Sequence, residues 1–215
     1  MKENLKRIFT GCLTIPNLLS VIRIILIPVF GVLFYDGHVL ASVIVLFISG
    51  LTDLFDGKIA RRFNQVSELG KMLDPIADKL TQMTIAVVLF LEFNKSTNPT
   101  MKWFKWVFLF FIVKELLMVL VGAVMVAKGL RPSAAVIWGK AATMAFYCVM
   151  VLVIAFGPEV GALKSFYTMP DTLMIILVII SAILTFAALL SYIPDTIKQF
   201  KQKNKNEEQA QKEEK

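Results

Sequence analysis

The chain is dominated by apolar segments, each long enough to cross a lipid bilayer. Crossing a hydrocarbon core of about 30 Å takes roughly 20 residues of helix. Turn residues and charges divide the sequence into about six such segments, and 57% of its 215 residues are hydrophobic. Backbone polar groups inside a bilayer need partners within the protein, which favours helices. The sequence therefore predicts an all-α polytopic membrane protein with about six transmembrane helices, near residues 16–35, 39–59, 73–93, 104–127, 134–156 and 172–193.

Charges between the segments predict the topology. Lys and Arg gather at the amino end, in the second and fourth connections and in the tail, and this places both termini in the cytoplasm; the third connection, with three lysines, is the exception. Residues 1–200 are predicted to form one membrane domain. Residues 201–215 mix both charge signs with almost no apolar residue, which predicts a disordered cytoplasmic tail. No nucleic-acid partner is expected.

Four aspartates stand where the second and third apolar segments meet. Asp53 and Asp56 are three residues apart, and Asp74 and Asp78 are four apart, so each pair shares one helical face. A short connection would bring the two faces together. Carboxylates crowded at a membrane boundary are costly unless cations offset their charge. All-oxygen ligands favour a hard divalent ion such as Mg²⁺ or Mn²⁺, and such ions often complete their shell with substrate phosphates.

The connection between the two pairs is suited to an anion. Gly57 permits a close approach of the backbone, and Lys58, Arg61 and Arg62 supply positive charge for phosphate oxygens. The alternative is that these basic residues are only topological anchors on the cytoplasmic side. The aspartates beside them favour the anion interpretation, because acids at membrane depth are usually functional.

These residues resemble the CDP-alcohol phosphotransferase family, also called the CDP-alcohol phosphatidyltransferase family. Its signature is D-x2-D-G-x2-A-R-x8-G-x3-D-x3-D, and the chain matches every fixed position: Asp53, Asp56, Gly57, Ala60, Arg61, Gly70, Asp74 and Asp78. The family's arrangement of about six spans accounts for nearly all of the remaining chain.

The resemblance implies an enzyme of phospholipid biosynthesis. An acceptor hydroxyl would attack the phosphorus that bears diacylglycerol in CDP-diacylglycerol, and CMP would leave. The resemblance assigns two divalent ions to the four aspartates and the role of base to Asp78. It assigns the binding of the CDP-lipid to Gly57, Arg61, Ser67, Asn17 and Ser20. The last two have an alternative interpretation, in which Pro16 begins a helix and Ser20 is a surface residue. It further implies a homodimer in the cell membrane of a bacterium, in contact with membrane lipids, with its active site facing the cytoplasm.

The alcohol acceptor is less closely defined by the sequence. The opening 14–30 and the run LDPIADK look most like the phosphatidylglycerophosphate synthase branch, whose acceptor is glycerol 3-phosphate. Its phosphate would be bound by Lys140, Arg131 and Lys114. Snorkelling of Lys140 and an ion pair between Lys114 and Glu115 are the structural alternatives. The chain departs from the branch where Lys114 replaces the usual Arg and Ala142 a frequent Lys, so a cardiolipin synthase stays open.

Two other classes of protein compete with the enzyme. Acidic residues within a membrane also mark metal or proton transporters, but those lie near the midplane, whereas the four aspartates adjoin cytoplasmic basic residues. A scaffold that has lost catalysis should have lost aspartates first, and all four are present.

Overall fold

The computed structural model describes residues 14–62, 68–130 and 137–213. Within these ranges the chain forms six α-helices: α1 Ile15–Tyr35, α2 Val39–Arg62, α3 Glu68–Lys95, α4 Pro99–Ala127, α5 Ile137–Phe156 and α6 Asp171–Glu213. Side chains are described except at 54–69, 71–72, 131–138 and 204–215. The all-α prediction is confirmed, and each of the six predicted spans coincides with one helix.

Local signals in the sequence mark several helix ends. Thr14 caps α1 by accepting a hydrogen bond from the backbone N–H of Asn17 at 3.4 Å, and Asn98 caps α4 in the same way through the N–H of Thr100 at 3.0 Å. After α1 and α4 the chain turns through Gly37 (φ 82°) and Gly129 (φ 70°). This left-handed conformation strains residues that carry a Cβ atom, so glycine ends both helices cleanly.

The helices form a closed bundle. Among the described residues, each helix packs mainly against two others, in the cyclic order α1, α2, α5, α6, α4, α3. Three of these contacts are hairpins between consecutive helices, and the other three join different hairpins. The amino end of α1, the carboxyl end of α2 and the first turns of α3 therefore lie at the same end of the bundle, which we call the site end.

The half of the bundle away from the site end has an aromatic core. Phe93 stacks on Phe108 with ring centroids 5.2 Å apart, and Phe111 meets Phe146 edge-on at 4.8 Å. These rings join α3, α4 and α5, and all four are buried. Aromatic pairs of this geometry stabilise beyond the burial of their area. The core therefore fixes the helices whose other ends carry the charged residues.

The outer surface of the bundle is apolar, as expected of a protein solvated by lipid. Large hydrophobic side chains such as Leu18, Ile25, Leu120 and Ile183 are exposed. Within the described residues, four helices meet the length and composition of a membrane span: α1, α4, α5 and α6. Charged residues interrupt the apolar character of α2 and α3, which are the two helices that carry the aspartates.

The carboxyl end differs from the expected disordered tail. Residues 201–213 continue α6 as a helix, and Lys203 donates to the backbone carbonyl of Lys128, just beyond α4. The physical reason is that Lys, Gln, Glu and Ala have high helix propensity, and a helix that already exists is extended without a new nucleation cost.

Candidate active site

Three helices bring five polar side chains together at the site end. α1 contributes Ser20 and Arg23, α2 contributes Asp53, and α3 contributes Asp74 and Asp78. Ser20 and Arg23 are three residues apart and the α3 aspartates are four apart, so each pair shares a helical face. The contact of α1 with both α2 and α3 places these faces against one another.

Arg23 links two of the predicted metal ligands. Its Nη1 lies 2.7 Å from Oδ1 of Asp53 and 2.9 Å from Oδ1 of Asp78. The arginine side chain is only 2% exposed, whereas the two aspartates are 48% and 39% exposed. The carboxylates therefore line an accessible surface with a buried cation behind them. The sequence interpretation did not identify Arg23, although a charged residue inside an apolar segment is itself a signal.

Ser20 contacts the third described aspartate. Its Oγ donates to Oδ1 of Asp74 at 2.5 Å and lies 3.0 Å from the backbone carbonyl of Pro16. Ser20 and Asn17 are both buried, so the alternative of Ser20 as a surface residue is wrong. Pro16 does lie in the first turn of α1, as that alternative expected.

Several predicted residues cannot be placed in this geometry. Asp56, Gly57 and Arg61 lie on the helical backbone of α2, but their side chains lie outside the described residues. Ser67 and Arg131 lie outside the described residues altogether. The roles assigned to these five residues stay predictions.

A second charged cluster lies beside the aspartates. Glu115 of α4 is buried, with its Oε2 3.4 Å from Nζ of Lys79, and its Oε1 pairs with Lys114. Lys79 directly follows Asp78 on α3. The ion pair suggested as the alternative for Lys114 is thus present, and Lys79 belongs to it too. A role of Lys114 in binding an acceptor phosphate stays a prediction.

α5 contributes an exposed cation and a partly buried tyrosine. Lys140 is exposed in the first turn of α5. Two turns further on, the hydroxyl of Tyr147 donates to the carbonyl of Leu46 on α2. The tyrosine ring lies against Gly50, one turn from Asp53. Sequence patterns gave no sign of this contact, because it joins residues about a hundred positions apart.

Comparison with known proteins identifies the family. Residues 13–193 match the family model described as CDP-alcohol phosphatidyltransferase. The chain belongs to the CDP-alcohol phosphatidyltransferase family. The resemblance based on the aspartate signature is confirmed, and the helices that carry Asp53, Asp74 and Asp78 lie inside the matched region.

Individual members of the family show how far the similarity extends. A protein from Salmonella typhimurium named CDP-diacylglycerol--glycerol-3-phosphate 3-phosphatidyltransferase is 41% identical over 138 residues, 61% of this chain and 71% of that protein. One of the same name from Rickettsia typhi is 41% identical over 88 residues, 40% of this chain and 49% of its own length. A protein from Mycobacterium bovis, provisionally named as a cardiolipin synthase, is 37% identical over 135 residues, 62% of this chain. The match spans 61% of that mycobacterial relative.

The family's use of a divalent metal can be tested against the side chains present. Asp53 and Asp78 contact the same nitrogen atom and so already converge on one cation. Their oxygens, with those of Asp74, form the donor set that Mg²⁺ or Mn²⁺ prefers. Within the described part of the chain, however, no three acidic, His or Cys side chains are grouped tightly enough to hold an ion. The donor chemistry of the three described aspartates is that of a hard divalent ion, and Asp56, whose side chain lies outside the described residues, stays a predicted ligand.

Proposed function

We propose that this protein transfers a phosphatidyl group from CDP-diacylglycerol to glycerol 3-phosphate and releases CMP. The observation that carries the proposal is the convergence of Asp53, Asp74 and Asp78, from two helices, around the buried Arg23 and Ser20 of a third. The choice of acceptor is supported by the names of the Salmonella and Rickettsia relatives.

The transfer requires one bond to form and one to break at the same phosphorus. The acceptor hydroxyl oxygen attacks the phosphorus that bears diacylglycerol, and the bond from that phosphorus to the oxygen of CMP breaks. The hydroxyl proton passes to the Asp78 carboxylate, whose partial exposure leaves it accessible to a substrate. Two divalent ions, Mg²⁺ or Mn²⁺, held by Asp53, Asp56, Asp74 and Asp78 would offset the charge of the diphosphate.

Substrate binding is assigned to groups on both sides of the carboxylates. We assign the CDP part to Gly57, Arg61, Ser67, Asn17 and Ser20. Asn17 and Ser20 are both buried on α1, and Ser20 fixes the orientation of Asp74 through its 2.5 Å hydrogen bond. We assign the acceptor phosphate to Lys140, Arg131 and Lys114. Lys140 is exposed, whereas Lys114 is only partly exposed and pairs with Glu115, so Lys140 has the greater freedom to reach a phosphate.

The cellular setting is part of the same proposal. The distribution of Lys and Arg supports an orientation with both termini and the site end on the cytoplasmic side. The bacterial origin of the relatives supports a bacterial cell membrane. The site end would then meet a soluble nucleotide product and a soluble acceptor, while the diacylglycerol chains stay in the lipid. The protein would act as a homodimer among membrane lipids.

A second candidate function is cardiolipin synthesis, with phosphatidylglycerol as the acceptor. The similarity to the mycobacterial relative supports it, and so does Lys114 where the glycerophosphate branch usually has Arg. The chemistry at phosphorus is the same in both reactions. Only the acceptor changes, from a soluble phosphate ester to a lipid.

The test is CMP release from CDP-diacylglycerol by purified protein with Mg²⁺ or Mn²⁺. Glycerol 3-phosphate, phosphatidylglycerol, inositol phosphate and serine are supplied in parallel. Release only with glycerol 3-phosphate is expected, and release only with phosphatidylglycerol would favour the second candidate. Folded protein that releases no CMP with any acceptor would contradict both, and ion uptake into vesicles would then test the transporter class.

Variants of the acceptor residues refine the same assay. Lys140→Met should raise KM for glycerol 3-phosphate about tenfold or more, because a charged hydrogen bond contributes about 1.5–3 kcal/mol. KM for CDP-diacylglycerol should stay unchanged. Lys102→Met, at the opposite end of the bundle, is the matched control. An equal effect on both substrates would remove Lys140 from the acceptor site.

A further inference from the structure

We infer that Arg23 is a positioning residue for the proposed transfer, acting as a built-in cation that holds Asp53 and Asp78 together and weakens the site's affinity for divalent metal. The inference rests on the proposed function for its catalytic part only. Its geometric basis is the pair of contacts from one guanidinium nitrogen, 2.7 Å to Asp53 and 2.9 Å to Asp78.

The burial of Arg23 shows that its charge lies inside the bundle and not on its surface. The side chain is 2% exposed and lies in the apolar helix α1. An arginine stays protonated in proteins, so this position keeps a full positive charge at membrane depth. Such a charge is expensive to desolvate unless acids compensate it. Asp53 and Asp78 provide that compensation, and they are the acids assigned to the reaction.

The contacts also explain how two helices keep a fixed distance between their acids. Asp53 belongs to α2 and Asp78 to α3, and the two like charges repel each other. Arg23 approaches both from α1, which packs against each of these helices. The nitrogen that contacts both acids is part of a planar, rigid guanidinium, so it fixes the relative position of the two carboxylates more precisely than an ammonium group on a flexible stem would.

Metal and Arg23 are not mutually exclusive at this site. A carboxylate has two oxygens and several lone pairs, and the 2.7 Å and 2.9 Å contacts to Arg23 each use one oxygen. The guanidinium offsets one of the four negative charges of the signature and leaves an excess for divalent ions. Because like charges repel, the guanidinium must also lower the affinity of the site for each ion. Since it offsets part of the carboxylate charge, the bound ions keep more net positive charge to attract a diphosphate.

Loss of Arg23 should have opposite effects on metal binding and on catalysis. Arg23→Gln removes the repulsion, so Mn²⁺ should bind about tenfold more tightly, as expected when one neighbouring charge is lost. The same variant loses the link between α2 and α3, so kcat for CMP release should fall about a hundredfold, because misplacement by about 1 Å costs that much. If Arg23 were purely structural, its replacement would weaken metal binding and activity together.

Stability gives a readout that does not depend on activity. Without metal, Arg23→Gln should unfold at a lower temperature than the unaltered protein, because two acids lose their counter-ion. Mn²⁺ should raise its unfolding temperature more than it raises that of the unaltered protein, since the ion binds more tightly and only to the folded state. Arg23→Lys keeps the charge and should leave the Mn²⁺ affinity within about twofold, while kcat falls because the flexible lysine side chain fixes the positions of the two acids less precisely.

The experiment measures Mn²⁺ binding by electron paramagnetic resonance, unfolding temperature with and without Mn²⁺, and CMP release. It compares the unaltered protein with Arg23→Gln, Arg23→Lys and the control Lys105→Gln, which removes a charge at the opposite end of the bundle. Tighter Mn²⁺ binding with slower release in Arg23→Gln supports the inference. Weaker or unchanged Mn²⁺ binding in Arg23→Gln overturns the inference. If Arg23→Gln does not fold, a change of more than about twofold in the Mn²⁺ affinity of Arg23→Lys overturns it instead. If the unaltered protein binds Mn²⁺ but releases no CMP, the proposed function fails, and the binding and stability results still decide the role of Arg23.

Discussion

The ring of Tyr147 on α5 lies directly against the backbone of Gly50 on α2. A methyl group placed on Gly50 would stand 2.5 Å from the ring carbon Cε1. The same tyrosine donates its hydroxyl to the carbonyl of Leu46, one turn earlier on α2. At this contact α5 packs against α2, the helix that carries Asp53. Loss of the contact would therefore shift the position of that acid.

Gly50→Ala should therefore destabilise the protein by about 1–3 kcal/mol, the usual cost of overpacking a fitted interior. The measurement is thermal or denaturant unfolding in detergent. Gly122→Ala is the matched control, because its added methyl group would meet no atom within 4 Å beyond the adjoining backbone of its own helix. That control should be neutral or stabilising by up to about 1 kcal/mol, since alanine is the better helix former.

A double-mutant cycle identifies the cause. In a Tyr147→Ala background the ring that Gly50→Ala would meet is absent, so the added methyl group should cost much less than in the unaltered protein. An equal cost in both backgrounds would show that the close contact with Tyr147 is not responsible.

Ser20→Ala should slow the proposed transfer. The hydroxyl donates to Asp74, and a hydrogen bond to a charged group contributes about 1.5–3 kcal/mol, so kcat/KM for CMP release should fall about tenfold to a hundredfold. Ser42→Ala is the control, because Ser42 is also buried but its hydroxyl donates to a backbone carbonyl, that of Val39. Equal losses in both variants would indicate a general effect of removing a buried hydroxyl.

Asp78→Asn should abolish CMP release while the protein still folds. The amide cannot accept the acceptor's proton as a carboxylate does, and it keeps nearly the same volume and one oxygen for Arg23. Circular dichroism and unfolding temperature check the fold, and CMP release checks the chemistry. Asp36→Asn, in the turn at the opposite end of the bundle, should retain full activity. Normal turnover in Asp78→Asn would remove this residue from the mechanism.

Glu115→Ala should destabilise the protein by about 3–5 kcal/mol, the typical cost of breaking a buried ion pair from one side. Lys114 is largely buried and would lose its acidic partner, and Lys79 would lose the link from α3 to α4. Glu92→Ala is the control, since it breaks the more exposed Lys95–Glu92 pair, for which about 0–1 kcal/mol is expected. Unfolding in detergent compares the two, and similar costs would contradict an essential role for Glu115.

The sequence predicted the helices better than it predicted their contacts. Apolar runs bounded by turn residues and charges located all six helices, although within the described residues only α1, α4, α5 and α6 meet the length and composition of a membrane span. The tail was harder, because a charged composition argues against a core but not against a helix that is already nucleated. Residues 201–213 are therefore helical in spite of their polarity.

The site residues likewise differ in how far the sequence could predict them. Asp53, Asp74 and Asp78 could be identified because their spacing is local and family-specific. Tyr147 could not, because a tyrosine in an apolar segment has no distinctive pattern until its partner on α2 is known. Arg23 is an intermediate case. Its charge inside an apolar segment signalled a role, but only packing shows which acids it meets.

The order of the helices along the chain bears on how the protein enters the membrane. Arg23 is synthesised before Asp53, and Asp53 before Asp78, on three consecutive helices. We expect α1 to be in the bilayer when the two less apolar helices arrive, so that each acid meets its counter-ion during insertion rather than after it. The same arginine would then act first as an insertion partner for α2 and α3, before any substrate is present.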